Sequence, residues 1–289
     1  MNTLTNNVLE AALIFEGGGM RNSYSSGFVN VLLENGIYFN NVYGLSAGAT
    51  NVVNYVSRDT RRSEVSFTEY VDDLSFRRVL EPLLHADSGS RHQKALDDRD
   101  IPFSFDMFQR NPARAVVQAV DRDTGETISF DREDYASEEE LMDCVRASTS
   151  YPIIMPPKKV GGRYYYDGGV GNGGGIMVPK AWDDGFDKYV VVCTQPKGYR
   201  KPRKPNHLYD VFFWHRLRMK ELFHTWSERY NEELDNLEEL ERRGQAYVFY
   251  ANSQSVSNVE RDVDKLKANF NKGYNQAQRE LDALMKFLA

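Results

Sequence analysis

The sequence predicts an α/β protein in which a mostly parallel central sheet is flanked by helices and followed by a helical C-terminal region. Three features lead there. Ala11-Ala12-Leu13-Ile14-Phe15 is an apolar run that ends in glycines, Val42-Tyr43-Gly44 is a second run that ends at Ser46, and a helical pattern lies between them. Ala11 to Ser46 spans 36 residues, enough for one strand, a crossover helix and a parallel strand.

The first run reads as a strand buried on both faces. From Ser25 to Asn35, Phe28, Val29, Val31, Leu32 and Leu33 form a helical stripe that stops at Gly36, a suitable C′ residue. A right-handed crossover puts both strands in one sheet, commonly as neighbours, so the two glycine loops leave it at the same carboxyl-end edge. A helix from Ala47 to Ser57 follows. Phe67, Tyr70, Val71, Leu74, Val79, Leu80, Leu83 and Leu84 suggest helical segments beside that edge, where a substrate cap would lie, although core packing explains any one of them. Arg114–Val120 and Thr127–Phe130 flank Asp123-Thr124-Gly125-Glu126 as an antiparallel hairpin. Ser137 with Glu140 makes a capping box for a helix through Arg146. Tyr151 to Pro157 is irregular and apolar, Tyr164-Tyr165-Tyr166 reads as a strand, and Lys188–Thr194 reads as a further buried strand.

At 289 residues the chain can build one large or two modest domains. Hydrophobic content of 41% with 27% charged residues is that of an ordinary soluble globular protein, and no stretch is apolar enough for a membrane span. Met1–Glu10 lacks a secretory pattern, and the two cysteines, Cys144 and Cys193, form neither a disulfide framework nor a metal-ligand spacing. A cytoplasmic protein is expected, with peripheral membrane contact left open. After Gln195 the composition changes: residues 196–205 hold five basic residues and three prolines, a stiff exposed connector. The chain is therefore divided into a catalytic domain, 1–200, and a helical region, 201–289. In the latter, Leu208–Arg243 and Val259–Leu288 read as two long helices around a short strand-like Tyr247–Tyr250, and the acidic run Glu228–Glu241 reads as a solvated helix face.

Gly44-Leu45-Ser46-Ala47-Gly48 has the form of a nucleophile elbow, a sharp strand-to-helix turn that presents a serine hydroxyl. Gly44 and Gly48 flank a tightly packed turn, and the amides of Gly17, Gly18 and Gly19 could face the oxyanion that Ser46 creates. Either glycine run alone is weak, since glycine-serine turns are common and a triple glycine also suits a phosphate cradle. Together on one βαβ unit they favour a hydrolase. None of the five histidines, His85, His92, His207, His215 and His224, sits in a turn beside a strand end. Asp167-Gly168-Gly169, delivered by the tyrosine strand, is the better source of a base, because a partly desolvated carboxylate gains basicity.

Gly17-Gly18-Gly19-Met20-Arg21, the Ser46 elbow, Ala147-Ser148-x-x-x-Pro152 and Asp167-Gly168-Gly169 together resemble the patatin-like phospholipases in order and approximate spacing. The likeness is greatest to the bacterial branch with an added helical C-terminal region, and its motifs cover about residues 11 to 195. The resemblance implies a three-layer fold and a lipid acyl hydrolase with a Ser-Asp dyad that acts on phospholipid or another acyl lipid. It implies no metal, no cofactor and no nucleic-acid partner. Ser46 would be the nucleophile, Asp167 its base and Gly17 to Gly19 the oxyanion hole, with Arg21, Gly44, Gly48, Gly168 and Gly169 in support. Many members have glycine where Asn22 stands; asparagine tolerates a left-handed backbone, so the loop is expected to keep its shape. Two alternatives stay open: a Ser-His-Asp esterase using His207, and a non-catalytic lipid-binding protein. Lys197, Arg200, Lys201, Arg203 and Lys204 could touch an anionic lipid surface, or could simply be a solvated interdomain loop.

Overall fold

The structure, a computed structural model, describes residues 4–69, 102–203, 207–253 and 256–289. Tyr70, Val71, Leu74, Val79, Leu80, Leu83, Leu84, His85, His92 and Lys204 lie outside the described residues.

The chain opens with β1 (Val8–Phe15), α1 (Asn22–Glu34) and β2 (Phe39–Leu45). The two strands pair in parallel, with Leu13 opposite Val42 and Phe15 opposite Gly44, so both glycine loops leave the same edge as the βαβ reading requires. Gly36 has φ 66° just beyond the helix, the left-handed stop that the apolar stripe predicted. Next come α2 (Ala47–Val56), α3 (Thr60–Thr68), α4 (Phe105–Arg110), β3 (Arg114–Asp121) and β4 (Thr127–Phe130). They are followed by α5 (Glu138–Thr149), β5 (Lys158–Val160), β6 (Arg163–Asp167), α6 (Val178–Asp183) and β7 (Tyr189–Val192). The C-terminal part holds α7 (His207–Phe212), α8 (Leu217–His224), α9 (Trp226–Arg242), β8 (Ala246–Phe249) and α10 (Val263–Leu288).

Strands β3, β2, β1, β7 and β8 run parallel in that spatial order, and β6, β5 and β4 join antiparallel at the β3 end. Period-two alternation divides the core into two layers. Leu13, Phe15 and Val42 pack with residues of α1, α2 and α5 on one face, while Ile14, Tyr43 and Leu45 pack with α6 and α9 on the other. The fold is thus a three-layer α/β arrangement. Helix α1 is buried from Asn22 through Leu33, because α10 covers the side that the sheet does not. The two helices meet at Gly27 and Gly273, where a Cβ would lie 2.4 Å from Tyr274 N and 2.0 Å from Tyr24 O. Ser23 Oγ, in the same contact, donates to Met20 O and accepts from Asn269 Nδ2 at 2.8 Å, which offsets its burial.

Several expectations for the C-terminal part are corrected. Residues 208–243 are three helices rather than one. Phe213 and Phe223 stack with Tyr209 and fold α8 back on α7, and at Thr225 the chain turns so that the Trp226 indole N–H reaches Gly174 O at 2.5 Å. Tertiary contacts here outweigh local helix propensity. The 246–249 strand is a full member of the sheet, parallel to β7, so the region contributes to the central layer as well as packing on it. The acidic stretch of α9 is not simply solvated, since it carries the ion pairs of the connector: Lys197 with Glu241, Arg200 with Asp235 and Glu238, and Arg203 with Glu228. Among the described residues no helix is long and apolar enough to cross a membrane.

Candidate active site

Strand β2 runs into Ser46, whose backbone sits at φ 52°, ψ −134°, a conformation that side-chain-bearing residues rarely adopt. Two close approaches enforce it. A Cβ on Gly44 would lie 2.7 Å from Gly48 O, and one on Gly48 would lie 2.5 Å from Phe15 O. Ser148 then ties the turn to the sheet, because its Oγ accepts from Ser46 N at 2.8 Å and donates to Gln118 O at 2.6 Å. The Ala147-Ser148 motif is therefore a brace for the elbow.

The Ser46 hydroxyl, half-buried at the surface of this turn, donates to Asp167 Oδ2 at 2.7 Å. Asp167 ends β6 and is only 4% exposed; its Oδ1 accepts from Gly169 N at 2.7 Å. Burial pushes its pKa up to about 6, against the opposing pull of the Gly169 and Ser46 hydrogen bonds and of the Lys201 charge. Gln118 Nε2 donates to Gly168 O and Asn172 O, and a Cβ on Gly168 would meet Gln118 O at 2.1 Å. The carboxylate is thus held by two hydrogen bonds on a turn that Gln118 fixes, and is still basic enough to accept a proton near neutral pH.

The glycine loop lies beside the elbow. Gly17 N donates to Gly175 O at 3.1 Å, so one of the three amides expected to face an oxyanion is already engaged. Gly18 N and Gly19 N have no hydrogen-bond partner among the described residues. Gly19 turns the loop at φ 57° and leads through a short 3-10 turn into α1. Asn22 is helical at φ −64°, and its Oδ1 accepts from Asn51 Nδ2 at 2.9 Å. The left-handed backbone expected to be its contribution belongs to Gly19. Glu16, before the loop, is buried and accepts from Thr194 N and Tyr230 OH, each at 2.5 Å, while burial raises its pKa. Arg21 stands at the start of α1 with its Nε buried and without a partner among the described residues.

The C-terminal region supplies groups that sequence reasoning missed. Arg229 of α9 donates to Val170 O at 2.8 Å and to Gly171 O, and so holds the turn after Asp167. Lys201 was expected on an exposed connector. Its backbone is instead clamped by Asn231, through Lys201 N to Oδ1 at 2.7 Å and Nδ2 to Lys201 O at 3.0 Å. Its Nζ lies 3.4 Å from the Trp226 ring centroid and 4.5 Å from that of Tyr230. Burial lowers its pKa to about 7; Glu16 and Asp167 pull it up while Arg21 and Arg229 push it down. One signal for Lys201 was present, a Lys-Pro in a basic run, but Lys204-Pro205 repeats it and nothing in the run separated Lys201 from its neighbours.

The histidine alternative gains no support from the geometry. His207 is 91% exposed and its Nδ1 faces Asp210 at 3.6 Å, His224 also turns to Asp210 at 2.8 Å, and His215 is exposed. Among the described residues no cluster of His, Cys, Asp and Glu could hold a metal ion.

A family model described as patatin-like phospholipase matches residues 13–179, and a second model, a domain of unknown function named DUF6363, matches residues 217–289. No curated protein matches the chain in sequence. Among solved structures, the chain is similar to VipD from Legionella pneumophila at a TM-score of 0.50 and 14% identity, over 95% of this chain and 67% of that one. At that identity the likeness concerns the fold.

Proposed function

Because the chain belongs to the patatin-like phospholipase family, we propose that it is a lipid acyl hydrolase in which Ser46 and Asp167 form the catalytic dyad. The observation that carries this reading is the 2.7 Å hydrogen bond from Ser46 Oγ to a buried carboxylate whose pKa is raised toward neutrality. Asp167 takes the Ser46 proton as Oγ attacks the ester carbonyl of a phospholipid, lysophospholipid or related acyl lipid. The free Gly18 and Gly19 amides receive the tetrahedral oxyanion, with the Arg21 charge nearby. Collapse of the intermediate expels the alcohol, which leaves with the proton from Asp167. A water molecule then gives its proton to Asp167 and attacks the acyl-enzyme, and release of the fatty acid returns that proton to Ser46. Cys144 and Cys193, both buried and unpaired, support a reducing, cytoplasmic setting. Residues 1–200 carry this chemistry in the proposal, and the helical region 201–289 buttresses it.

The test is labelling by a fluorophosphonate together with turnover across lipid classes. Wild type labels at Ser46 and hydrolyses an acyl lipid, and a variant without its five histidines retains activity. Absence of labelling in a folded protein would favour the non-catalytic lipid-binding alternative, and loss of activity with the histidines would favour the Ser-His-Asp one.

A further inference from the structure

Four successive amides of the glycine loop divide into anchored and free. Gly17 N donates to Gly175 O at 3.1 Å and Met20 N donates to Asn258 O at 3.0 Å, while Gly18 N and Gly19 N between them have no partner among the described residues. Backbone donors are normally paired, so two free ones side by side depend on the anchors that flank them. The first anchor belongs to the part of the chain that carries the dyad. The second comes from residues 256–262, which lead into α10 within the stretch matched by the domain of unknown function.

The second contact is close enough to fix the loop. A Cβ on Gly19 would lie 2.2 Å from Asn258 O, so the carbonyl takes the space that a side chain would need. The hydrogen bond from Met20 N fixes the plane of the Gly19–Met20 peptide, because that unit is rigid. The Met20 carbonyl is held as well: it accepts from Ser23 Oγ at 2.9 Å, and Ser23 Oγ accepts from Asn269 Nδ2 of α10. The Met20 side chain packs in a small buried cluster with Phe67, Val256 and Leu266, and Ala47, the residue after Ser46, lies against the same cluster. Amide, carbonyl and side chain of Met20 thus all engage the C-terminal region, one residue beyond the free amide of Gly19. The 256–262 segment has its own support, since Asp262 Oδ1 accepts from Asp264 N and Lys265 N at 3.1 Å where α10 begins.

We propose that residues 256–262 are a strap that positions the oxyanion hole. Asn258 O, together with the Val256 and Leu266 walls around Met20, sets the direction of the Gly18 and Gly19 amides, so the C-terminal region is a working part of the acyl-transfer site. The inference rests on the lipid acyl hydrolase reading for the role of those two amides. Asn258, Val256 and Leu266 are positioning residues that act through the loop.

Val256→Ala removes part of one wall around Met20. Its kcat on p-nitrophenyl butyrate should fall about tenfold with KM within about twofold, because misplaced donors weaken the transition state more than the bound ester. A long-chain alkyl trifluoromethyl ketone separates this effect from a general loss of packing. Ser46 Oγ adds to its carbonyl carbon, Asp167 takes the Ser46 proton, and the ketone oxygen becomes an oxyanion for the loop to hold. Affinity for the ketone should fall in parallel with kcat. Val256→Ile should stay close to the parent. Leu284→Ala, also buried on α10 but ~27 Å along the helix from Leu266, should lower Tm and leave kcat and ketone affinity unchanged. Should Val256→Ala fold poorly, Leu266→Val is a smaller removal from another wall of the same cluster. The coupling is also read without turnover: the Met20 amide should exchange hydrogen about tenfold faster in Val256→Ala and stay slow in Leu284→Ala. Unchanged kcat and ketone affinity in Val256→Ala, with or without faster exchange at Met20, would overturn the proposal. So would equal losses of kcat in Val256→Ala and Leu284→Ala, since the strap would then only pack. Faster Met20 exchange in Val256→Ala, when the wild type hydrolyses no ester and binds no ketone, would instead overturn the enzymatic reading and leave the strap's hold on the loop standing.

Discussion

The Ser46 elbow and the 196–203 connector both bear on Asp167, and they are held by different forces. The elbow is fixed by short-range sterics. Its nucleophile has a positive φ, its two glycines allow backbone contacts that no other residue permits, and Ser148 braces it by two hydrogen bonds. The connector is held by groups distant in sequence, namely the ion pairs to α9, the Asn231 clamp and the two rings around Lys201. Sterics of this kind are insensitive to salt and intolerant of a methyl group. Surface ion pairs are screened and individually weak, so the connector's geometry depends on several acting together with the half-buried Asn231 and the ring contacts.

This difference can be broken first at the dyad. Ser46→Ala and Asp167→Asn should each fold and each lose ester hydrolysis by about three orders of magnitude or more, as members of a unit do. Near-native turnover in either variant would remove the mechanism. Next in size is the glycine loop. A Cβ on Gly18 would meet Thr194 Oγ1 at 2.7 Å and push the loop away from the carbonyl oxygen. Gly18→Ala should therefore lower kcat about a hundredfold with a smaller change in KM, the scale of losing an oxyanion donor. A rise in KM alone would assign the loop to substrate binding.

The connector should act through pH instead. Wild-type kcat/KM is expected to rise as Asp167 deprotonates near pH 6. The Lys201 charge lowers that pKa, so Lys201→Met should move the acid limb to higher pH and reduce activity by severalfold near pH 6 while sparing it near about pH 8. A uniform loss at all pH values would mean that Lys201 only packs.

Stability offers a smaller test in the opposite direction. The folded-state pKa of Asp167 lies above its ordinary value of 3.8, so the native state holds that proton more tightly than the unfolded chain does. The stability due to this group therefore falls as pH rises from 3.8 through about 6 and stays low above it. Asp167→Asn, inactive though it is, should melt higher than wild type at about pH 8, by an amount on the order of 2 kcal/mol, with the gain fading toward about pH 4. An unchanged melting temperature across that range would show that the carboxylate is not penalised by burial. The smallest effect is expected at the ion pairs. Arg200→Ala should alter turnover less than about twofold, with any effect vanishing in high salt.

Local chemistry made the first half of the site legible. Apolar runs that end in glycine, the stripe from Phe28 to Leu33 that stops at Gly36, and Asp167 before two glycines are signals confined to a few neighbouring residues. The constraint and the residue that relieves it lie side by side there. The hairpin at 123–126 and the Ser137 cap were legible for the same reason. Other features depended on which distant segments meet. Residues 208–243 have helix-forming composition throughout, and only the stacking of Tyr209, Phe213 and Phe223 and the reach of Trp226 to Gly174 decide where that helix breaks. Tyr247–Phe249 alternates like many short strands, and its place beside β7 comes from the sheet edge it covers. The Gly17 amide looked as free as its neighbours until Gly175 O was seen to accept from it. Lys201 and Arg203 are chemically alike in the sequence. Folding separates them, because Asn231 draws the backbone of Lys201 inward and two aromatic rings receive its ammonium group beside Asp167, while the Arg203 guanidinium stays in water against Glu228.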